Sequence, residues 1–341
     1  MTGKELVKRI LHHTGAPRVG MHFHGDNPCD IDWIPGVELI PPFDAAYTKW
    51  GRHEALLAAV GGFSGEVKMT PEGNIYGRFD KKTKGECIKG ALEDGWEGLA
   101  DYQFPTLSPA YDEKMETYTP PHPDRYLLAC LPYAVFAPLR DTRHMDNALM
   151  DLLLESENVC AFLDRITDLS VAAISHLAQA GADGAIIYDD LGMQHASFFS
   201  PAVFRELLKP YYKKLADACH AHGMEFFVHS CGKTTEFIPD WIDAGVNAFQ
   251  FDQPELHSSA LLAERFGDRA TFFCPVDIQK IMPTGDRGVI EAGARDMVNA
   301  FKAHGGSLIV KDYDNWADIN VLPEWQQWAR DAVIANAEIN C

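Results

Sequence analysis

GAIIYDDLGMQHASFFSPAVFRELLKPYYKKLADACHAHGMEFFVHSCGKTTEFIPDWIDAGVNAFQF, residues 184–251, holds three short apolar runs separated by amphipathic stretches. Gly184–Tyr188 (GAIIY), residues 224–228 (MEFFV) and residues 248–251 (AFQF) are too short for core helices and read as strands buried on both faces. Ser200-Pro201 is an N-cap followed by a first-turn proline, so a helix is expected from there to Gly223. A second, through FIPDWIDAG, leads into AFQF. Outward from this stretch the alternation continues. A helix through LHSSALLAERFG precedes a strand at 271–273, a helix around 289–304 precedes a strand at 307–310, and a final helix starts at Pro323. Further strands are expected at 18–23 and 127–136. Repeated strand–helix units imply a parallel sheet. Their number, and the lack of a G-x-G-x-x-G turn after any strand, favour a closed (β/α)8 TIM barrel over a doubly wound sheet.

The chain reads as one barrel domain spanning residues 1–341, with an insertion at about 61–123 over the barrel mouth. Within it VKMTPEGNIYGRFD, residues 67–80, is expected to form a β-hairpin, and residues 104–123 an irregular Pro- and Thr-rich loop. Residues 1–15 read as an amphipathic surface helix rather than a secretory signal, since no continuous apolar run is present. No apolar run has the length of a membrane span. With 49 acidic against 30 basic side chains the formal net charge is −19, which argues against nucleic acid and anionic membranes as partners. The eight cysteines are scattered and suit reduced thiols, so a cytoplasmic protein is expected.

In a β/α barrel the chemistry sits where strands end, on the loops leading into helices. The polar residues found there are His22, His24 and Asp26; Arg140, Asp141 and Arg143; Asp189 and Asp190; His229 and Cys231; Asp252; Cys274 and Asp277; and Lys311, Asp312 and Asp314. His229-Ser230-Cys231-Gly232 is the sharpest signal. Residues two apart at a strand end face the same way, and imidazole and thiolate are both zinc ligands. A catalytic zinc needs a third protein ligand and an open position. Cys274, ending the strand two units on, is the first choice, with Asp312 and Asp314 as alternatives. Asp189 and Asp190 are candidates for proton delivery. His24, Arg140, Asp252 and Asp312 are candidates for substrate binding. Trp33, Phe43, Tyr47, Tyr133, Phe136, Phe198, Phe199 and Trp316 could line a flat organic pocket.

Residues 189–255, with Ser-Pro-x-x-Phe-Arg at 200–205, Pro210-Tyr211 and His229-x-Cys231-Gly232, resemble the uroporphyrinogen decarboxylase superfamily, and more loosely so does the chain from about Val19 to the last helix. The resemblance implies a (β/α)8 barrel. The decarboxylase branch carries an arginine-rich N-terminal motif that binds porphyrinogen carboxylates. Here RVGMHFHGDNPCDIDW, residues 18–33, stands in its place without that arginine series, so a metal-free decarboxylase comes second. The other branch contains zinc methyltransferases that work with corrinoid proteins and use His-x-Cys and a later Cys as ligands, which places His229 and Cys231 on zinc. In the methylcobamide:coenzyme M members that Cys follows the last strand, where this chain reads IVKDYDNW at 309–316. CPVDIQ, residues 274–279, looks like members that cleave methyl ethers.

The resemblance therefore implies a methyltransferase that moves a methyl group from a methoxylated aromatic to the Co(I) corrinoid (cobalamin) of a partner protein, with Zn2+ as cofactor. A methylcobamide:thiol methyltransferase is the other alternative, and the decarboxylase branch suggests a homodimer. A non-enzymatic zinc scaffold would instead need a closed site of four protein ligands.

Overall fold

The structure is a computed structural model and describes residues 1–313 and 316–339. Eight strands form one parallel sheet: β1 (Gly20–His22), β2 (Ile31–Trp33), β3 (Tyr126–Cys130), β4 (Gly184–Tyr188), β5 (Glu225–His229), β6 (Ala248–Gln250), β7 (Thr271–Cys274) and β8 (Leu308–Lys311). Their order, β1-β8-β7-β6-β5-β4-β3-β2, is that of a (β/α)8 barrel closed except for a seam between β1 and β2. At the seam Asp30 N–H donates to the Met21 carbonyl (2.7 Å) and Met21 N–H to Asp30 Oδ2 (2.9 Å).

Alternation along the strands sorts the core into two clusters. Ile31, Leu128, Ile186, Phe227, Ala248, Phe273 and Ile309 point into the barrel. Their neighbours, among them Ala129, Ala185, Val228, Phe249, Phe272 and Val310, face the surrounding helices. The first helix, Gly3–Leu11, does not lie on the outer surface as its amphipathicity suggests. Leu6, Val7, Ile10 and Leu11 join the inward-facing cluster, so the helix plugs the N-terminal end of the barrel. Lys4 and Lys8 then pair with Asp183 (2.9 and 3.2 Å).

Three local readings change. The strand expected at 127–136 stops at Cys130, because Pro132 cannot donate to a ladder, and Phe136–Arg143 is already a helix. The helix from Ser200 runs as an α-turn at Pro201–Val203, a π-turn at Phe204–Leu208 and an α-helix at Lys209–Ala221. Pro210 lacks the N–H that a regular α-ladder needs there, and the wider turn absorbs the defect. Within the stretch expected to be irregular, Ala110–Glu116 is a helix that buries Tyr111 and Met115, one turn apart.

The insertion contains the hairpin, Glu66–Met69 with Ile75–Arg78, and a third antiparallel strand, Glu86–Lys89. It is tied to the helix after β3: Tyr76 OH donates to Asp141 (2.6 Å) and Asn74 to Thr142 Oγ1 (3.3 Å). No described helix is long and apolar enough to cross a membrane.

Candidate metal centre

The loops after β4 and β5 are held against each other, and this builds the site. Gly232 sits at φ +77°, and a Cβ there would lie 2.1 Å from the Gly192 backbone. Only two glycines allow this approach. Lys233 N–H then donates to the Met193 carbonyl (2.7 Å) and Leu191 N–H to Ser230 Oγ (3.0 Å). The join carries Asp190, at the end of β4, onto the end of β5, where Cys231 N–H donates to Asp190 Oδ1 (2.9 Å).

His229 has the parity of Phe227 and so faces inward at the rim. Its Nε2 lies 3.4 Å from Cys231 Sγ and 3.2 Å from Asp190 Oδ1. The three donor atoms lie within 4.8 Å of one another. Ligands at about 2.0–2.3 Å around a tetrahedral zinc are separated by edges of about 3.3–3.7 Å, so the two edges from His229 and the N, S and O donors suit a zinc site. Its electrostatics agree. Burial works against both ions, yet the hydrogen bond with His229 holds the Asp190 carboxyl well below the usual carboxylate range. Asp190 and Cys231 in turn outweigh burial at His229, whose imidazolium is pushed up to about 10. Burial raises the Cys231 thiol. In the metal-free cluster the Asp190 carboxylate and the His229 imidazolium thus form an ion pair beside the Cys231 thiol.

The side of His229 away from this cluster is also occupied. Its Nδ1 hydrogen-bonds Gln250 Oε1, Gln250 Nε2 donates to Asp252 Oδ1 (2.6 Å), and Lys311 lies 3.6 Å from the same oxygen. Tyr188, which ends β4 with inward parity, contacts the His229 ring at 5.0 Å. It also closes a cleft of about 210 Å3 whose lining includes Pro132, Tyr133, Ala134, Ala137, Glu72 and Tyr76.

His229 and Cys231 therefore come together, and Cys274 does not join them. Phe273 takes the inward position on β7, so Cys274 faces the helical layer, fully buried, with burial pushing its thiol up to about 12. Asp190 supplies the third donor instead. Asp189 and Asp190 divide sharply. The Asp189 carboxylate accepts the N–H groups of Val135, Phe136 and Ala137 and the Tyr212 hydroxyl, anchoring the start of the helix after β3. With its lone pairs used in this way it has no route to a substrate proton.

Asp312 is buried in a bidentate pair with Arg330 (2.9 and 2.6 Å) and accepts from the His24 N–H (2.8 Å), so both residues are tied together beside β8. Asp314, the other alternative ligand, lies outside the described residues. Arg140 gives its Nε to Asp141 (2.9 Å) and lines a cavity of about 510 Å3. This cavity shares Tyr76 and Asp141 with the cleft at Tyr188. Arg143 is turned inward onto Asp151 (2.7 Å). Of the aromatic candidates, Tyr133 reaches the cleft, while Phe136, Phe198 and Phe199 pack on one another. Gln250 and Tyr188 were not singled out in the sequence. The available signal was parity: Gln250 is a polar residue at an inward position of an apolar strand.

A family model described as uroporphyrinogen decarboxylase (URO-D) matches residues 131–315. Methylcobamide:CoM methyltransferase MtbA of Methanosarcina acetivorans is 25% identical over 204 residues, 59% of this chain and 55% of that protein. The chain thus matches about half the length of this curated relative. A solved methyltransferase from Methanosarcina mazei superimposes with a TM-score of 0.63 over 98% of both chains, at 15% identity, which shows a shared fold. Since the family model spans more than half of its residues, the chain belongs to the uroporphyrinogen decarboxylase (URO-D) family.

Proposed function

We propose that this protein is a zinc-dependent methyltransferase that moves a methyl group from a methoxylated aromatic to the Co(I) corrinoid of a partner protein. The observation that carries the reading is the cluster of Asp190, His229 and Cys231 at the barrel mouth. Three protein donors leave a tetrahedral ion one position for substrate, whereas a structural scaffold would use four. The names of the Methanosarcina relatives support methyl transfer. When bound, zinc would supply a Lewis acid for an ether oxygen whose phenolate leaves poorly. A carboxylate as third donor makes the set harder than a second thiolate would, which suits an oxygen substrate.

The chain's own residues position the reactants. Tyr188 and Tyr133, with Pro132 and Ala134, give the cleft flat walls for an arene. Asp190, held by the Cys231 N–H, keeps the donor set together across two loops. In the transfer the methyl–oxygen bond breaks, its electron pair stays on oxygen, and the methyl group passes to cobalt. A corrin ring is too large to enter the barrel, so the partner protein would dock over the mouth.

A second reading, methyl exchange between a corrinoid and a thiol, is favoured by the relative's name, methylcobamide:CoM methyltransferase. Metal analysis combined with transfer assays separates the two. The wild type should hold about one zinc per chain and methylate cob(I)alamin from methoxyarenes, and His229→Ala and Cys231→Ala should lose both properties. Transfer that persists in a zinc-free His229→Ala protein would overturn the mechanism. Transfer to a thiol with none from ethers would select the second reading.

A further inference from the structure

The inward-facing polar residues of β6 and β8 form a line that ends on His229. Asp252 is salt-bridged to Lys311 (3.6 Å), and an ionised carboxylate only accepts hydrogen bonds. The group of Gln250 that faces it at 2.6 Å must therefore be the amide nitrogen. A flipped amide would set oxygen against oxygen at that distance. The orientation is thus imposed, and it turns Gln250 Oε1 toward His229 Nδ1. An amide oxygen can only accept, so Nδ1 must carry a proton. Nε2, which faces Asp190 and Cys231, is then the ring nitrogen that would take a metal, its proton displaced on binding.

Gln250 and Asp252 are both buried, and both are costly to place in a barrel interior unless fully bonded. Gln250 occupies the parity of Ala248, where an apolar residue would complete the core. There its amide nitrogen meets Asp252 and its amide oxygen meets His229.

We propose that Gln250, oriented by Asp252 and Lys311, is a positioning residue that fixes the Nδ1–H tautomer and ring orientation of His229 and so raises the affinity of the site for its metal. This role rests on the zinc reading proposed above. It predicts that an acceptor at position 250 matters more than its shape. Gln250→Met keeps length and volume but removes the acceptor. The double variant Gln250→Glu, Asp252→Asn keeps an acceptor toward Nδ1 and puts an amide donor at position 252 to face it, so no carboxylate is set against another.

The test is zinc affinity, measured by competition with a chromophoric chelator, together with the visible spectrum of the Co2+-loaded protein. Gln250→Met should bind zinc about 10–100-fold more weakly and show altered Co2+ bands. The double variant Gln250→Glu, Asp252→Asn should bind at least as tightly as wild type. Equal affinity in wild type and a folded Gln250→Met protein would overturn the role while leaving the zinc reading intact, and so would equal losses in both variants, which would indicate packing alone. If Gln250→Met fails to fold, a tenfold loss in the double variant overturns the role by itself. A wild type that binds no zinc overturns both readings together.

Discussion

Asp190 and Cys274 show how one residue of strand parity decides which side chain faces the donor cluster. Both end a strand, and a thiol is the more familiar partner for His-x-Cys, yet Phe273 holds the inward position on β7 and Cys274 is turned to the helices. Asp190→Ala should therefore reduce zinc content sharply, while Cys274→Ala should keep it near the wild-type level at a cost of about 1–2 kcal/mol in stability from the small cavity. Metal analysis beside denaturant midpoints reads both effects, and the reverse pattern would remove Asp190 from the site. His257 gives the residue scale a pH signature. It stacks on Phe251 (4.5 Å) and bonds Thr235 (2.8 Å), and burial pushes its imidazole down to about 4. An unfolded histidine titrates near 6.5, so between about 6.5 and 4 the unfolded chain binds a proton that the folded chain refuses. Its contribution is thus intact above about pH 6.5 and lost as pH falls through 4, by at most about 3 kcal/mol. Urea midpoints between pH 7 and 5 should fall more steeply for wild type than for His257→Gln. Parallel curves would contradict the assignment.

At the scale of elements, the site depends on the two loops that meet at Gly192 and Gly232. Gly232→Ala adds a left-handed backbone penalty of about 1–2 kcal/mol and a Cβ driven into the Gly192 carbonyl. Gly223→Ala is the matched control, with φ +71° and open space around its Cβ. Calorimetric melting should show a modest loss for Gly223→Ala and a larger one for Gly232→Ala, with zinc binding weakened only in the second. Equal losses would mean that the loop contact does not build the site. The strands β4 to β8 and the hairpin were legible because short, mostly apolar runs, or a Gly-Asn turn between alternating runs, mark them locally. β2 was not legible. Ile31–Trp33 has three residues, one of them Asp32, and pairs with β3, nearly a hundred positions away. His229 and Cys231 were legible for the same local reason, since their spacing matches strand parity. The place of Asp190 in the donor cluster and of Gln250 behind His229 were not, because each depends on contacts between neighbouring strands that spacing along one strand does not encode.

Across the whole molecule, the barrel is closed at a seam where β1 and β2 share no regular ladder. Asp30 does the closing. Its carboxylate takes two guanidinium N–H groups of Arg18 (2.8 Å each) and the N–H of Met21 (2.9 Å), while its own backbone bonds Met21 and Tyr126. One buried residue, through its carboxylate and its backbone, thereby joins β1, the segment before it and the start of β3. The helix Gly3–Leu11 packs at this same end, and the backbone of Asp30 lies about 3 Å from the Cβ position of Gly3, so the plug and the seam share a contact. Removing the carboxylate leaves a buried Met21 N–H without a partner and Arg18 without its counter-charge. Asp30→Ala should cost about 2–4 kcal/mol. Asp30→Asn keeps an acceptor for Met21 but drops the charge, and should recover roughly half of that loss. Hydrogen exchange locates the effect. If Asp30 holds the seam, protection should fall first in β1, β2 and the N-terminal helix, while β4 to β6 and the metal cluster keep theirs. A uniform loss of protection around the barrel would show that the seam opens only with the whole fold, and a stability change under about 0.5 kcal/mol would show that the plug alone holds the barrel shut.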